Sequence, residues 1–381
     1  MGSRQTMGLF IPSIDSATGL GIANISLAFA FGQLWWGLTQ PFAGAIADRV
    51  GAGRVLLVGL LLVALGTFIT PYMTTTLGLI FAIGVLAAGG AGIAGPSVLM
   101  AATTRLLPAE TRGFATGVVN AGGSFGQFLM APLAVALTAS FGWVSSMQAI
   151  GLLVLLALPA ALVLRARPMS AETTPAAPRL SAREATERAF ADRSYVLLCA
   201  GFFVCGFHVA FLATHLPNVV ASCGLPPSVS GWALAILGLF NIIGSLAMGW
   251  AVGRWRMKSL LSLVYASRAV AVLIFLAAPK TATVMLIFAA FMGLTFLSTV
   301  PPTAGLVAKF FGPANMAMLF GIVMLSHQIG GFLGAWLGGK LFVMTGSYDT
   351  VWVIDALLAI AAALIHLPIK EAPLAPRLKA A

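Results

Sequence analysis

The chain is poor in charge. Only 8% of its 381 residues are Asp, Glu, Lys or Arg, while 60% are hydrophobic. A soluble domain covers its surface with roughly a quarter charged residues, so this composition excludes one. Acids are scarcest, at 10 against 21 Lys and Arg, and Asp355 alone lies deep in an apolar run. Export of cationic compounds in exchange for protons generally needs a buried carboxylate. Buried arginines and histidines without acids instead favour anions. The three cysteines, Cys199, Cys205 and Cys223, have no metal-ligand partners at useful spacing and read as buried thiols. A GxxxxGK[ST] loop is missing, which argues against ATP as the energy source. Metal and cofactor sites are not expected, nor is enzyme chemistry, nor a cleavable signal peptide.

What the chain has is long apolar runs. Stretches such as "VLLVGLLLVALGTFITPYM" and "MQAIGLLVLLALPAALVL" approach the ~20 residues that cross a bilayer as helix. They lack strand-like alternation, and 42 glycines suit closely packed membrane helices. Runs of spanning length fall at 23–47, 54–74, 76–104, 112–138, 143–164, 195–218, 229–252, 259–278, 281–306, 315–341 and 350–369. Eleven full spans are thus predicted, besides a shorter apolar start. Of the 21 basic residues, Arg4 and Arg268 fall inside apolar runs and Lys280 and Lys340 on one side. The remaining seventeen fall on the other side, which the positive-inside rule makes cytoplasmic. The net charge of +11 therefore sets topology and is not a nucleic-acid surface.

A polar stretch, "RARPMSAETTPAAPRLSAREATERAFADR", divides the chain, with a short amphipathic helix expected at "SAREATERAFADR". The two sides repeat each other. At a shift of 204, Gly126 matches Gly330, Phe128 matches Phe332, Leu129 matches Leu333 and Arg105 matches Lys309. At a shift of 205, Gly44 matches Gly249, Arg49 matches Arg254 and Pro12 matches Pro217. This divides the chain into an N-terminal bundle (1–165), a cytoplasmic linker (166–192), a C-terminal bundle (193–370) and a cytoplasmic tail (371–381). Repeated halves of one orientation suit a two-bundle secondary transporter. About 22 residues of apolar run precede Pro217 but only eleven residues precede Pro12. The expectation is an all-α membrane protein of two six-helix bundles, its first helix truncated at the N-terminus by roughly a dozen residues.

Between the first two full spans stands "GAIADRVGAGRVLL". Its pattern of Gly44, Asp48, Arg49, Gly51 and Arg54 resembles the cytoplasmic signature of the major facilitator superfamily. That resemblance covers nearly the whole chain and implies twelve helices and a conformational latch at these residues. The second copy, "GWAVGRWRMK", keeps Gly249 and Arg254 but has Gly253 in place of the aspartate, which implies a weaker latch. Looser motifs, "GLFIPSI", "HLPNVVASCGLPPSVSG" and "LFGIVMLSHQIGGFLGAWLGG", look like the monocarboxylate and oxalate–formate branch. Carboxylate carriers of that branch often place an acid and an arginine four apart in the eighth helix. Here those positions are Asn241 and Ser245, so the anion-binding arginine is not carried over.

Candidates for substrate contact are therefore the polar groups within apolar runs. Arg4 sits about two turns before Pro12 on the first helix, which lines the central cavity in the family. Arg268 lies near the bilayer midplane and reads either as a substrate contact or as a structural pair with Asp355. His208 and His215, seven apart, share one face of the seventh helix and suit a coupling proton, or hydrogen-bonded packing. His327 and Gln328 add polar points on the eleventh helix, with Ser124 as the repeat mate of Gln328. Tyr265 and Asn120 complete the substrate-binding candidates, and His366 reads as interfacial. Helix breaks are expected at Pro96, Pro301 and Pro302, where Ser298, Thr299 and Thr303 can satisfy freed backbone groups or touch substrate.

The resulting expectation is a monomeric carrier of a small organic anion, a mono- or dicarboxylate, coupled to a proton or a counter-anion. It would span the inner (plasma) membrane many times, with linker and C-terminus cytoplasmic, and bind no nucleic acid. The alternatives are efflux of neutral amphiphiles, or a transport-inactive membrane partner or sensor.

Overall fold

The computed structural model describes the backbone of residues 2–95, 98–99, 109–163, 182–311 and 313–373. Within those ranges it describes all side chains except those at 41, 45, 48, 49, 109–121, 163, 182 and 313–318. The described backbone is helical almost throughout, and no strand occurs in it.

The chain opens with α1 (Gly2–Thr6), a 3-10 turn (Met7–Phe10) and α2 (Ile11–Thr18), which follow one another without a non-helical residue between them. Gly19, at φ +65°, ends α2 in the left-handed region that glycine enters without steric cost. Next come α3 (Ile22–Val50) and α4 (Ala52–Ile69), joined only by Gly51 at φ +93°. A residue with a β-carbon could not make that one-residue turn without strain, which explains the glycine within the "ADRVGAGR" signature. α5 (Thr76–Leu79) starts on Thr75, whose hydroxyl accepts from the Gly78 amide at 3.1 Å, and runs on through a π-helix (Ile80–Ala88) into α6 (Gly89–Ile93).

α7 (Ala109–Leu155) is two helices joined at Gly142, where φ is +78°. Ser146 Oγ donates to Ala134 O at 3.3 Å. Twelve residues along a straight helix would separate them by about 18 Å, so the chain turns back here. The short α8 (Leu158–Val163) follows. α9 (Ala182–Ala191) is the expected amphipathic helix; it buries Ala185 and Ala189, and its Phe190 meets the Tyr195 ring edge-on at 5.9 Å.

The second half holds α10 (Arg193–Ser222), α11 (Pro227–Val252), α12 (Met257–Ala277), α13 (Ala282–Thr295), α14 (Val300–Phe311), α15 (Pro313–Thr345) and α16 (Asp349–His366). Asp192 caps α10 by accepting from the Tyr195 amide at 3.0 Å. Nine described helical stretches are long and apolar enough to cross a membrane. One of them, Gly122–Leu162, contains the Gly142 turn and crosses twice, and α3 at 29 residues is as long as the others. This is a many-pass membrane protein. α13 and α14 together make one span that breaks at Phe296–Thr299. Pro301 and Pro302 sit in the first turn of α14, where a missing N–H costs nothing; the unwound residues precede them. α6 likewise ends at Ala94 and Gly95, and Pro96 lies outside the described residues.

One continuous core runs from Ala189 to Ile369 and takes in Ala131 of the first half, whereas the first half has separate clusters around Ile14 and around Leu56. Contact between the halves is made chiefly by α3 on α15, α7 on α11 and the Met7–Phe10 turn on α10. Glycines report where those helices touch. A methyl added at Gly8 would lie 2.6 Å from Thr214 O, one at Gly231 2.8 Å from Val135, and one at Gly339 would collide with Ser26. Among the described residues, these close approaches between the halves lie away from the basic loops. Among the same residues, nothing lies within 4 Å of where a β-carbon would stand at Gly44, Gly122, Gly249 or Gly321, toward the basic end.

Candidate functional site

A band of buried polar groups crosses the junction of the halves at mid-depth. α1 carries Arg4, whose Nη1 donates to Gln33 Oε1 on α3. The guanidinium lies over the Trp36 ring, 4.6 Å from its centroid, and Arg4 Nε has no partner. Gln33 Nε2 lies where a methyl on Gly331 of α15 would be 3.3 Å away. One turn along α3, a methyl on Gly37 would come within 3.1 Å of Gln328 Cβ. Gln328 is buried, and neither end of its amide has a partner. On the other side, the Gly2 and Gly126 backbones abut, which brings α1 to α7. Next to Gly126, Gln127 is buried with both amide atoms unpartnered, facing Gly238 of α11. Three residues earlier, Ser124 Oγ accepts from Asn241 Nδ2 at 2.8 Å. A cavity of about 30 Å³ lies beside Arg4, lined also by Phe29, Gln33, Ile83 and Thr214.

Each buried amide or N–H left without a partner costs about 1–3 kcal/mol. Native interiors hold few of them, and several in one band mark a place where water or a ligand supplies the missing bonds. Among the described residues Arg4 makes no ion pair. Its charge, the free Nε and the neighbouring amides form a donor-rich, apolar-walled site suited to a small anion.

The other candidates lie one helix back, inside the second half. Arg268 is 1% exposed and points at the break between α13 and α14. Its Nη2 donates to Thr295 O and, at 2.8 Å, to Phe296 O. Tyr265 donates to Gly201 O at 2.7 Å and lies under the Arg268 guanidinium. His208 meets Asp355, and His215 meets Ala335 O at 2.7 Å and Tyr348 Oη at 3.3 Å. Both histidines do share a face of α10, but that face turns toward α15 and α16, so neither belongs to the polar band. His327 packs on Phe202 of α10 at 4.9 Å, and both its ring nitrogens lack partners. His366, the last residue of α16, is 1% exposed, stacks on Tyr265 at 5.1 Å and has Nδ1 2.6 Å from Ala362 O.

Asn120, Asp48 and Arg49 have side chains outside the described residues. Of the remaining signature residues, Arg54 is exposed, and Arg254 folds over Trp250 at 4.1 Å while donating to its carbonyl at 3.2 Å. Gln33, Trp36 and Gln127 were not foreseen. Their signal is an amide or indole within an apolar run ("AFAFGQLWW", "SFGQFLM"), which a search for ionisable groups passes over.

Comparison with known proteins bears on this architecture. The family model described as Major Facilitator Superfamily matches residues 1–275 and 198–381. Monocarboxylate transporter 13 of Rattus norvegicus is 24% identical over 381 residues, covering 96% of this chain and 85% of the relative. The MFS-type transporter YcxA of Bacillus subtilis is 24% identical over 355 residues, covering 91% and 85%. The crystal structure of the nucleoside transporter NupG superposes with a TM-score of 0.79 at 16% identity, covering 97% of this chain and 95% of that one, a likeness of fold. Repeated halves, a broken span, a polar band at their junction and a family model matched from end to end agree: the chain is a transporter of the major facilitator superfamily.

Proposed function

We propose that the protein is a secondary active transporter of a small organic anion, a carboxylate, moved by alternating access. Substrate binds between the halves at Arg4, whose guanidinium makes a charge-assisted contact with the carboxylate. Gln33, Gln328 and Trp36 donate the remaining hydrogen bonds, and Gln127 closes the site from α7. The observation that carries the reading is the Arg4 charge, without an ion-pair partner among the described residues, set among buried, unpartnered amides on the face between the halves. The monocarboxylate transporter relatives support it.

The bundles 1–165 and 193–370 then rock about this site, joined by the cytoplasmic linker 166–192. On this reading the basic end is cytoplasmic in a plasma or inner membrane, and the contacts between the halves at the opposite end suit an inward-facing state. Binding of substrate with a proton or a counter-anion biases the equilibrium between states.

A thermal-shift series with small carboxylates tests the site. At a hundred times its Kd a ligand adds about 2.7 kcal/mol to apparent stability. Stabilisation of the wild type that is lost in Arg4→Gln is expected; equal stabilisation of both refutes the assignment.

A further inference from the structure

The second half contains a buried ionisable cluster that the substrate site does not use. Asp355 on α16 is 1% exposed, and neither carboxylate oxygen receives a hydrogen bond. His208 Nε2 lies 3.3 Å from Asp355 Oδ1, but its hydrogen-bonding geometry is directed at the Asp355 backbone oxygen, 3.1 Å away. The other ring nitrogen, Nδ1, is 3.5 Å from Arg268 Nη1. Cys205 Sγ, 3.8 Å from the same Nη1, is 3.0 Å from Thr299 Oγ1. Tyr265 lies behind the guanidinium, and His215 is occupied separately by Ala335 and Tyr348. On α15 the unpartnered His327 faces α10 at Phe202.

The two charges in this cluster are unequally provided for. Arg268 donates to Thr295 O and Phe296 O, carbonyls at the negative end of half-helix α13. The Asp355 carboxylate has only the edge of a histidine already committed elsewhere. An ionised carboxylate without donors in an apolar interior is costly, and a proton removes that cost. Arg268 stays supported by the carbonyls either way, so the cluster tolerates two protonation states.

The same break joins this cluster to the other half. Leu297 N, on the unwound segment between α13 and α14, donates to Asn241 Oδ1 at 3.1 Å. Asn241 Nδ2 donates in turn to Ser124 Oγ on α7, across the junction. Polar contacts therefore run from Asp355 through His208 and Arg268 to the break, and from the break through Asn241 to the first half. A proton on Asp355 removes the negative charge beside His208, whose other ring nitrogen faces Arg268, while the guanidinium keeps its bonds to the break.

We propose that Asp355 with His208 is the binding site of a coupling proton, and that the α13–α14 break with Asn241 relays its occupancy to the contact between the halves. This rests on the transporter reading, and two arms separate the failure of one from the failure of the other. Infrared difference spectra of the purified protein between acidic and alkaline pH need no substrate. A protonated-carboxyl band in the wild type that is absent from Asp355→Asn supports the site; no such band in the wild type overturns it. Should Asp355→Asn fail to fold, Asp355→Glu replaces it, and a shifted band midpoint supports the assignment where an unshifted one overturns it. In proteoliposomes, Asp355→Asn should lose carboxylate accumulation driven by a proton gradient while exchange of labelled for unlabelled substrate persists. Gradient-driven accumulation retained by Asp355→Asn overturns the proposal.

Discussion

Gly8 offers a direct perturbation of the closed end. It lies in the Met7–Phe10 turn of the first half, and a methyl there would stand 2.6 Å from Thr214 O, 2.7 Å from Ala213 O and 3.2 Å from Thr214 C. These are backbone atoms within α10, so they cannot swing aside as a side-chain tip would. Overpacking of this kind costs typically 1–3 kcal/mol. The cost falls only on the state in which turn and helix touch, so Gly8→Ala should shift the ratio of the two states by about 5- to 150-fold toward opening at this end. A cysteine placed at the basic end by Gly249→Cys reports the change through its labelling by a membrane-impermeant maleimide. Cys199 and Cys205 are buried, and only Cys223 needs replacement as background. Labelling at 249 should slow in Gly8→Ala. Gly321→Ala, whose methyl meets nothing within 4 Å, should not slow it. Unchanged or faster labelling in Gly8→Ala refutes the two-ended geometry.

The α10–α15 seam is equally intolerant of volume: methyls at Gly330 and Gly334 would lie 2.8 Å from Phe203 C and 2.9 Å from Phe207 C. Either alanine variant should lose about 1–3 kcal/mol, seen as a lower Tm in detergent, with the double variant non-additive because the sites share one seam. Tyr195→Phe removes the buried bond from its hydroxyl to Leu319 O at 2.7 Å. It should cost about 1 kcal/mol, lowering Tm by roughly 2–4 °C. Gln328→Leu should act in opposite directions, raising Tm by relieving an unpartnered buried amide while weakening carboxylate binding measured by thermal shift.

Most of the architecture could be read from local signals. Apolar run length located the spans, and the amphipathic helix before Arg193 stands where the polar stretch predicted one. Matched pairs such as Gly44 with Gly249 exposed the repeat. The break near Pro301 was also legible, though displaced, because proline starts a helix as readily as it ends one and the unwound residues lie before it. Side-chain direction was the part that could not be read. α10 and α12 are apolar on every side, so periodicity does not reveal that His208 and Arg268 face each other within one half. Whether Arg4 stands alone or paired likewise depends on which helices meet. The amide band, made of neutral residues, carries no charge to betray it.

Uptake into proteoliposomes, comparing wild type with Arg4→Gln, tests the central claim most directly. A charge-assisted hydrogen bond contributes about 1.5–3 kcal/mol, and each 1.4 kcal/mol is tenfold in affinity. The wild type should take up labelled small carboxylates, and Arg4→Gln should raise the half-saturating concentration by roughly 10- to 150-fold. Unchanged half-saturation in Arg4→Gln, or uptake of neutral amphiphiles in preference to carboxylates, would contradict the account.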